Sequence, residues 1–293
     1  MKGIILAGGT GSRLWPSTLS LSKQLIPIYD KPLIYYPLST LMLAGIRDIL
    51  IITTPADQGA FQQLLGNGNS LGIKLSYEIQ ANPEGLAQAL IIGERFIGTE
   101  SVGLILGDNI FHGNGLGRNL KKCTEPKGAV IFGYQVSDPQ RYGVAEVDSQ
   151  GNVLSIEEKP VIPKSNLAIP GLYFFDRTVS AKASTVQKSK RGELEITSVL
   201  ELYREESRLQ LQVLERGTAW MDCGTINSLN DACNYIRVIE ERQGSKVGAI
   251  EEIAWRNGWI TAEGLNTLAQ KFNKNNYGSY LASIVSSDYL ASK

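Results

Sequence analysis

Short, uninterrupted apolar runs recur along the first hundred residues, separated by segments whose apolar positions repeat every three or four. Residues 3–6 (GIIL), 48–53 (DILIIT) and 102–106 (VGLIL) show no polar alternation, the mark of strands covered on both faces. Residues 73–79 alternate as a strand does. Between them, 33–45 (LIYYPLSTLMLAG), 56–65 and 86–96 read as helices, with Pro37 requiring a start or kink nearby in the first. Strands alternating with helices in this order predict an α/β fold, a mainly parallel sheet flanked by helices on both faces. Ligands gather at the carboxyl ends of strands in such sheets. The glycine-rich segment 7–13 (AGGTGSR) and Gly107-Asp108-Asn109 both fall at such ends.

The pattern changes after about residue 128. Runs at 128–135, 142–147, 153–157 and 167–175 read as strands, with Gly151-Asn152 as a turn between two of them. Residues 192–206 read as a helix, and 208–214 (RLQLQVL) alternate as a half-buried strand. From 226 the period is helical. Ile226, Leu229, Cys233, Ile236 and Ile239 share a face behind Thr225 as N-cap, and Thr261 likewise precedes Leu265, Leu268, Ala269 and Phe272. No repeat, low-complexity stretch or linker interrupts the chain. The expected organisation is a core over 1–225, changing character near 128, followed by a helical piece over 226–293.

Composition narrows the chemistry. A length of 293 residues suggests roughly two domains, or one large domain with an appended piece. Hydrophobic residues at 43% supply a sizeable core. Lys plus Arg and Asp plus Glu both number 29, so the basic excess of a duplex-nucleic-acid binder is absent. The single histidine, His112, means any Ser-His, Cys-His or multi-histidine metal mechanism must run through it. Ringed by glycines at 113, 115 and 117, it reads as part of a mobile loop rather than a rigid triad. Cys123, Cys223 and Cys233 are odd in number and lack a C-x-x-C. They are expected as reduced, buried small apolar groups in a cytoplasmic protein. The apolar start breaks at Gly8-Gly9, too early for a signal peptide, and no run approaches a membrane span.

Several constellations suit phosphate chemistry. Gly8, Gly9, Thr10 and Gly11 let backbone N–H groups approach a phosphate chain, and Arg13 adds a forked donor. The spacing matches neither G-x-x-x-x-G-K-[ST] nor G-x-G-x-x-G, which weakens ATPase and dinucleotide-dehydrogenase readings. Taken alone, the segment is equally a tight turn. Lys23 in Ser22-Lys23-Gln24-Leu25 can aim its ammonium at the same phosphates or simply be solvated. Asp108, at a buried strand's end, suits Mg²⁺, a hard ion that prefers oxygen; Asp222, before the 226 helix, is a second candidate. Both Asp residues also suit capping or turn roles. Glu158 and Lys159 in Ile156-Glu157-Glu158-Lys159-Pro160 suit sugar hydroxyls and a sugar phosphate, or a plain charged strand end. Gly143 in Arg141-Tyr142-Gly143-Val144 lets a ligand approach the backbone, or makes a turn.

Taken in order, these segments resemble the glucose-1-phosphate thymidylyltransferases, a sugar nucleotidyltransferase family. The carrying residues are GGTGSRL at 8–14, SKQL at 22–25, YYPLSTLMLAGIR at 35–47, GLAQA at 85–89, LGDN at 106–109, RYGV at 141–144, EEKP at 157–160 and RGELEIT at 191–197. The likeness spans nearly the whole chain. It implies a Rossmann-like nucleotide-diphospho-sugar transferase fold and Mg²⁺-dependent transfer of dTMP from dTTP to α-D-glucose 1-phosphate, giving dTDP-glucose and pyrophosphate. That reaction opens the route to dTDP-L-rhamnose and related deoxysugars of surface polysaccharides.

By the resemblance, the nucleotide part is about 1–127 and the sugar part about 128–225, and the helical piece serves assembly and regulation. Asp108 and Asp222 hold Mg²⁺. Arg13 and Lys23 stabilise triphosphate charge, with backbone donors from Gly8, Gly9, Thr10 and Gly11. Lys159 holds the sugar phosphate. Gln80 and Gly85 meet the thymine edge with Gln24 nearby, while Asn109, Gly143, Glu158 and the backbone near Ile169 line the glucose pocket. A homotetramer and feedback by an end-product nucleotide-sugar are also implied. The sequence departs from the family at Pro170 and Cys223, where Thr is usual, and at Ser198, where Asp is frequent. Proline removes a backbone N–H beside the expected sugar pocket. The rival readings are the same chemistry with UTP or another sugar 1-phosphate, and a non-catalytic nucleotide-sugar sensor.

Overall fold

The computed structural model describes residues 1–291, and side chains through Val285. In chain order it begins with β1 (Lys2–Ala7), a hairpin of β2 (Pro27–Ile28) and β3 (Lys31–Pro32), α1 (Tyr35–Leu43), β4 (Asp48–Thr53), α2 (Gln58–Leu65) and β5 (Lys74–Ile79). Then come α3 (Gln88–Ile92), α4 (Glu94–Ile97), β6 (Val102–Leu106), β7 (Asn109–His112) and α5 (Leu116–Lys121). The second half adds β8 (Ala129–Gln135), β9 (Gly143–Val147), β10 (Val153–Glu158), β11 (Leu167–Ile169), β12 (Leu172–Phe175), α6 (Val179–Ala183), α7 (Ile196–Glu205), β13 (Leu209–Val213) and β14 (Ala219–Asp222). Helices α8 (Ile226–Gln243), α9 (Ile250–Arg256), α10 (Ala262–Lys271) and α11 (Asn276–Ala291) finish the described chain.

One sheet organises the molecule, in the order β10-β9-β11-β8-β12-β6-β1-β4-β5, with β13 added beside β8. Strands β6, β1, β4 and β5 are parallel neighbours, as the alternation of strands and helices predicts. Strand β12 joins antiparallel to β6, and the part beyond it is antiparallel except for β13 on β8. Within this sheet, parallel ladders still hold most of the paired residues. Alternate side chains of β1 explain the two-sided cover. Ile5 packs with Leu38, Leu41 and Met42 of α1, and Ile4 with Leu90 of α3 on the opposite face. Both isoleucines are fully buried, each contributing about 1.5–3 kcal/mol.

The structure redraws several predicted elements. The helix expected over 86–96 divides at Gly93 into α3 and α4, where glycine is a poor helix former. The strand expected over 167–175 breaks at Pro170-Gly171 into β11 and β12, because proline has no N–H for the ladder. The helix expected from 192 begins at Ile196, since Leu194 spends its backbone on Glu84 and Ala87 instead (2.6 and 3.0 Å). His112 lies not in a loop but on β7, which pairs antiparallel with β14. Ile226, expected on the apolar face of α8, is 51% exposed, and Cys233 is half-buried rather than buried.

The helical piece is sewn to the core in two ways. Leu229, Ala232 and Ile236 of α8 pack with Leu14, Ile28, Leu33 and Ile110. Helix α8 starts at a capping box: Thr225 Oγ1 accepts from Ser228 N at 3.1 Å, and Ser228 Oγ accepts from Thr225 N at 3.0 Å. At its far end Glu240 meets Lys31 at 2.8 Å, Lys246 at 2.6 Å and the Val247 backbone N–H at 3.0 Å. Lys246 reaches Asp30 at 2.5 Å, and Lys31 also pairs with Asp30. Among the described residues no helix is long and apolar enough to cross a membrane.

Candidate active site

Four parallel strands end on one side of the sheet, and the predicted loops follow from those ends. The Gly8–Gly11 turn leaves β1, and Gly107-Asp108 leaves β6; Gly107 N donates to Leu6 O at 2.9 Å. Strand β14 returns alongside β7, setting Asp222 opposite Asn109. Cys223 N then donates to Asp108 O at 2.9 Å. A non-local strand pair therefore unites two aspartates far apart in sequence.

Two cavities of about 190 Å³ each open here and share Arg13, Asp108 and Asp222 as a common wall. The first is completed by Gly11, Lys23 and Gly224, among others. The second holds Asn109, Gly143, Glu158, Lys159 and Ile169. Of the predicted site residues, Arg13, Lys23, Gly11, Asp108, Asp222, Asn109, Gly143, Glu158, Lys159 and Ile169 thus converge.

Gly8, Gly9, Thr10, Gln24, Gln80 and Gly85 border neither cavity. Their arrangement is still specific. A Cβ on Gly8 would fall 2.0 Å from Gln80 Oε1, so any larger residue would displace that amide. Gln80 Nε2 donates to Gln88 Oε1 at 2.6 Å. Gly85, with φ of 111°, would drive a Cβ to 2.5 Å from the Leu194 backbone. Gln24 is buried, its Oε1 accepting from Ser22 Oγ at 2.6 Å.

Charge is distributed unevenly across the shared wall. Burial alone would raise the Asp108 pKa, but Lys23 and a hydrogen bond from Asn109 outweigh it and hold the carboxyl below its usual range. Asp222 goes the other way: burial and the nearby Asp108 charge raise it, against a looser Arg141 guanidinium at 3.5 Å. Glu158 is raised by burial and Glu195, with Lys159 only 3.8 Å away in opposition. Lys159 has a left-handed backbone, φ of 43°, which a non-glycine residue adopts at a cost. Two close carboxylates restrained by two cations of the chain match the oxygen donor set Mg²⁺ prefers, since that ion takes one or two carboxylates and fills its shell with phosphate and water.

Several residues of the site escape sequence reading. Arg141 and Tyr142 both reach Asp222, the tyrosine hydroxyl at 3.3 Å. The RYGV segment that contains them was legible, but its direction was not. Trp220, Thr197 and Glu195 also line the second cavity; Glu195 and Thr197 fall in the RGELEIT segment, but with no role to be read there, and Trp220 is brought in by the β7–β14 pairing. His112 lies outside both cavities, 6.0 Å from the Tyr235 ring, and burial lowers its pKa. Cys223 is fully buried and burial raises its thiol pKa, in keeping with an inert apolar role.

The mainly parallel sheet with flanking helices agrees with comparison to known proteins. The nucleotidyl transferase family profile matches residues 2–238. A Mycolicibacterium smegmatis glucose-1-phosphate thymidylyltransferase is 56% identical over 97% of this chain and 99% of its own length, and a Neisseria gonorrhoeae protein of the same name is 53% identical over the same shares. A Bacillus anthracis structure, described as that of a glucose-1-phosphate thymidylyltransferase with sucrose, superposes with a TM-score of 0.75 at 38% identity, covering 81% of this chain and 95% of that one. A UDP-glucose pyrophosphorylase bound to UDP-glucose follows at 0.71 and 25% identity, covering 81% and 98%. The chain belongs to the nucleotidyl transferase enzyme family and, within it, to the glucose-1-phosphate thymidylyltransferases.

Proposed function

We propose that this enzyme transfers dTMP from dTTP to α-D-glucose 1-phosphate, releasing pyrophosphate and forming dTDP-glucose, with Mg²⁺ as its metal. The observation that carries the proposal is the wall shared by the two cavities, Arg13, Asp108 and Asp222. A triphosphate beside the glycine loop and a sugar phosphate beside Lys159 would meet there. The names of the relatives supply the base and the sugar.

The attacking group is a phosphate monoester dianion, which needs no strong base, so a cavity without histidine suffices. What it needs is relief from repulsion between anions and alignment for in-line attack. Arg13, Lys23 and the Gly8–Gly11 backbone take the triphosphate charge. Lys159 holds the sugar phosphate, with Gly143, Glu158 and Ile169 bordering the sugar. Gln80, braced by Gln88, and Gly85 meet the thymine, with Gln24 behind them. Asp108 and Asp222 are the residues that would hold Mg²⁺, which neutralises charge at the α-phosphate when bound.

We extend the reading to a cytoplasmic homotetramer at the entry to dTDP-L-rhamnose and deoxysugar synthesis, inhibited by an end-product nucleotide-sugar. Solution mass and inhibition by dTDP-rhamnose test that extension; an insensitive monomer defeats it. The central test is pyrophosphate release with dTTP, UTP, CTP, ATP and GTP against several sugar 1-phosphates. Turnover with dTTP and glucose 1-phosphate, lost without Mg²⁺, is expected. Preference for UTP would replace the base assignment, since one methyl supplies only about 1–3 kcal/mol of discrimination. Silence with every pair would favour a nucleotide-sugar sensor.

A further inference from the structure

Gln80 follows β5, and Gln88 opens α3. Gln80 is only 3% exposed, and its Nε2 donates to Gln88 Oε1 at 2.6 Å. Among the described residues, its Oε1 and its second N–H have no protein partner. The Oε1 atom lies against the glycine turn after β1, where a Cβ on Gly8 would come within 2.0 Å of it.

Gln88 settles which way the Gln80 amide faces. Its Oε1 also accepts from the Glu84 backbone N–H at 3.0 Å, and its Nε2 donates to Glu84 Oε2 at 3.2 Å. A backbone N–H only donates and a carboxylate only accepts, so the Gln88 amide cannot be turned over. Glu84 is itself held in place: its carboxylate pairs with Lys188 at 2.7 Å, and its carbonyl accepts from Leu194 N at 2.6 Å. Gln88 therefore presents an acceptor to Gln80, and Gln80 must answer with Nε2.

What remains of the Gln80 amide is one carbonyl acceptor beside one N–H donor. Thymine and uracil present N3–H beside O4, the complement of that pair. Cytosine presents a bare N3 beside its N4 amino group, the reverse pattern, and would match only an overturned amide. We infer that Gln88, locked by Glu84, is a positioning residue for base selection: it fixes the Gln80 amide in the direction that accepts thymine or uracil and rejects cytosine. The placing of the base at Gln80 rests on the function proposed above; the direction of the amide does not. An amide paired to a base through two hydrogen bonds discriminates between bases by about 10–100-fold.

The test compares binding of dTDP and dCDP by calorimetry with Mg²⁺ present, beside pyrophosphate release from dTTP and dCTP with glucose 1-phosphate. The wild type should favour the thymidine nucleotide in both. Gln88→Leu removes the acceptor that holds Nε2 and frees the amide to turn, so the preference for dTDP over dCDP should fall about 10-fold or more. That ratio does not depend on the fraction of active protein, so partial misfolding does not imitate the effect. Exchanging the two residues, as Glu84→Gln with Gln88→Glu, returns an acceptor to Gln80 and a donor–acceptor pair between 84 and 88. The exchange should restore the preference lost in Gln88→Leu; the Lys188 pair that it gives up is half-exposed and contributes little. Equal losses for both nucleotides in Gln88→Leu, an exchange no more selective than Gln88→Leu, or a wild type indifferent to the base would overturn the inference. A wild type that binds dTDP over dCDP but releases no pyrophosphate would overturn the function and leave the binding comparison intact.

Discussion

Two clusters of opposite charges sit at the two ends of α8 and are built on different principles. At the far end, Glu240 is 5% exposed, and its carboxylate accepts from Lys31, Lys246 and a backbone N–H. Every charge there is spent on another. At the near end, Arg141 stands 3.5 Å from Asp222 and Lys159 3.8 Å from Glu158, both pairs bordering open cavity. There Arg141 sits closer to Asp138, at 2.8 Å, and Glu158 has a second cation in Arg191 at 3.4 Å, so the two cavity carboxylates are restrained without a tight partner. The contrast separates charge that fixes a fold from charge kept in reserve for a ligand. Only the second kind leaves carboxylates such as Asp222 and Glu158 with raised pKa values beside cations that do not saturate them.

The contrast can be broken first at the far end. Glu240→Ala removes the buried carboxylate shared by Lys31 and Lys246, leaving both to Asp30, and should cost about 3–5 kcal/mol, read from urea unfolding. A loss under about 1 kcal/mol would class this cluster with surface pairs. Replacing both partners, as Lys31→Met with Glu240→Leu, should be near neutral in the same measurement. At the near end, Asp108→Asn should lower kcat by about 10²-fold or more, by analogy with loss of a transition-state electrostatic group. Near-normal pyrophosphate release would remove Asp108 from the assigned role.

Acid sharpens the comparison. Burial opposes ionisation of Asp30, but Lys31 and Lys246 outweigh it and hold its pKa below the usual carboxylate range. A carboxyl depressed in the fold stabilises fully above its unfolded pKa of about 3.9, and that stability is lost as pH falls through the lower folded value. Asp30→Asn should therefore weaken the protein at neutral pH and flatten the decline below about pH 4. Identical acid limbs in denaturant titrations of the two proteins would contradict this. The smallest effect is at the helix start, where Thr225→Ala should cost about 1 kcal/mol; an unchanged unfolding midpoint would show that the capping box is dispensable.

The parallel half was legible because its signal is local. β4 and β6 span the predicted residues, and β1 extends the prediction by one at each end, since uninterrupted apolar runs admit one reading when bounded by turns. The antiparallel half was legible in outline only. The break at Pro170-Gly171 and the late start of α7 depend on what Gly171 and Leu194 bond to elsewhere. Strands β7 and β14 are four residues each, too short for a period to show. That pair is what brings Asp108 and Asp222 together, so their partnership could be taken from family resemblance but not from pattern. Arg141 was visible only as part of a short motif, and its reach to Asp222 belongs to the folded chain alone.

Position 159 also carries a warning for protein engineers. Its backbone lies in the left-handed region, φ of 43°, where glycine is the easiest occupant. A procedure that scored residues by backbone comfort would write glycine there and gain a little stability. It would also delete the ammonium beside the second cavity. The choice natural to the scaffold and the choice needed by the chemistry are opposed at one residue, and stabilisation campaigns on this chain should hold that lysine fixed.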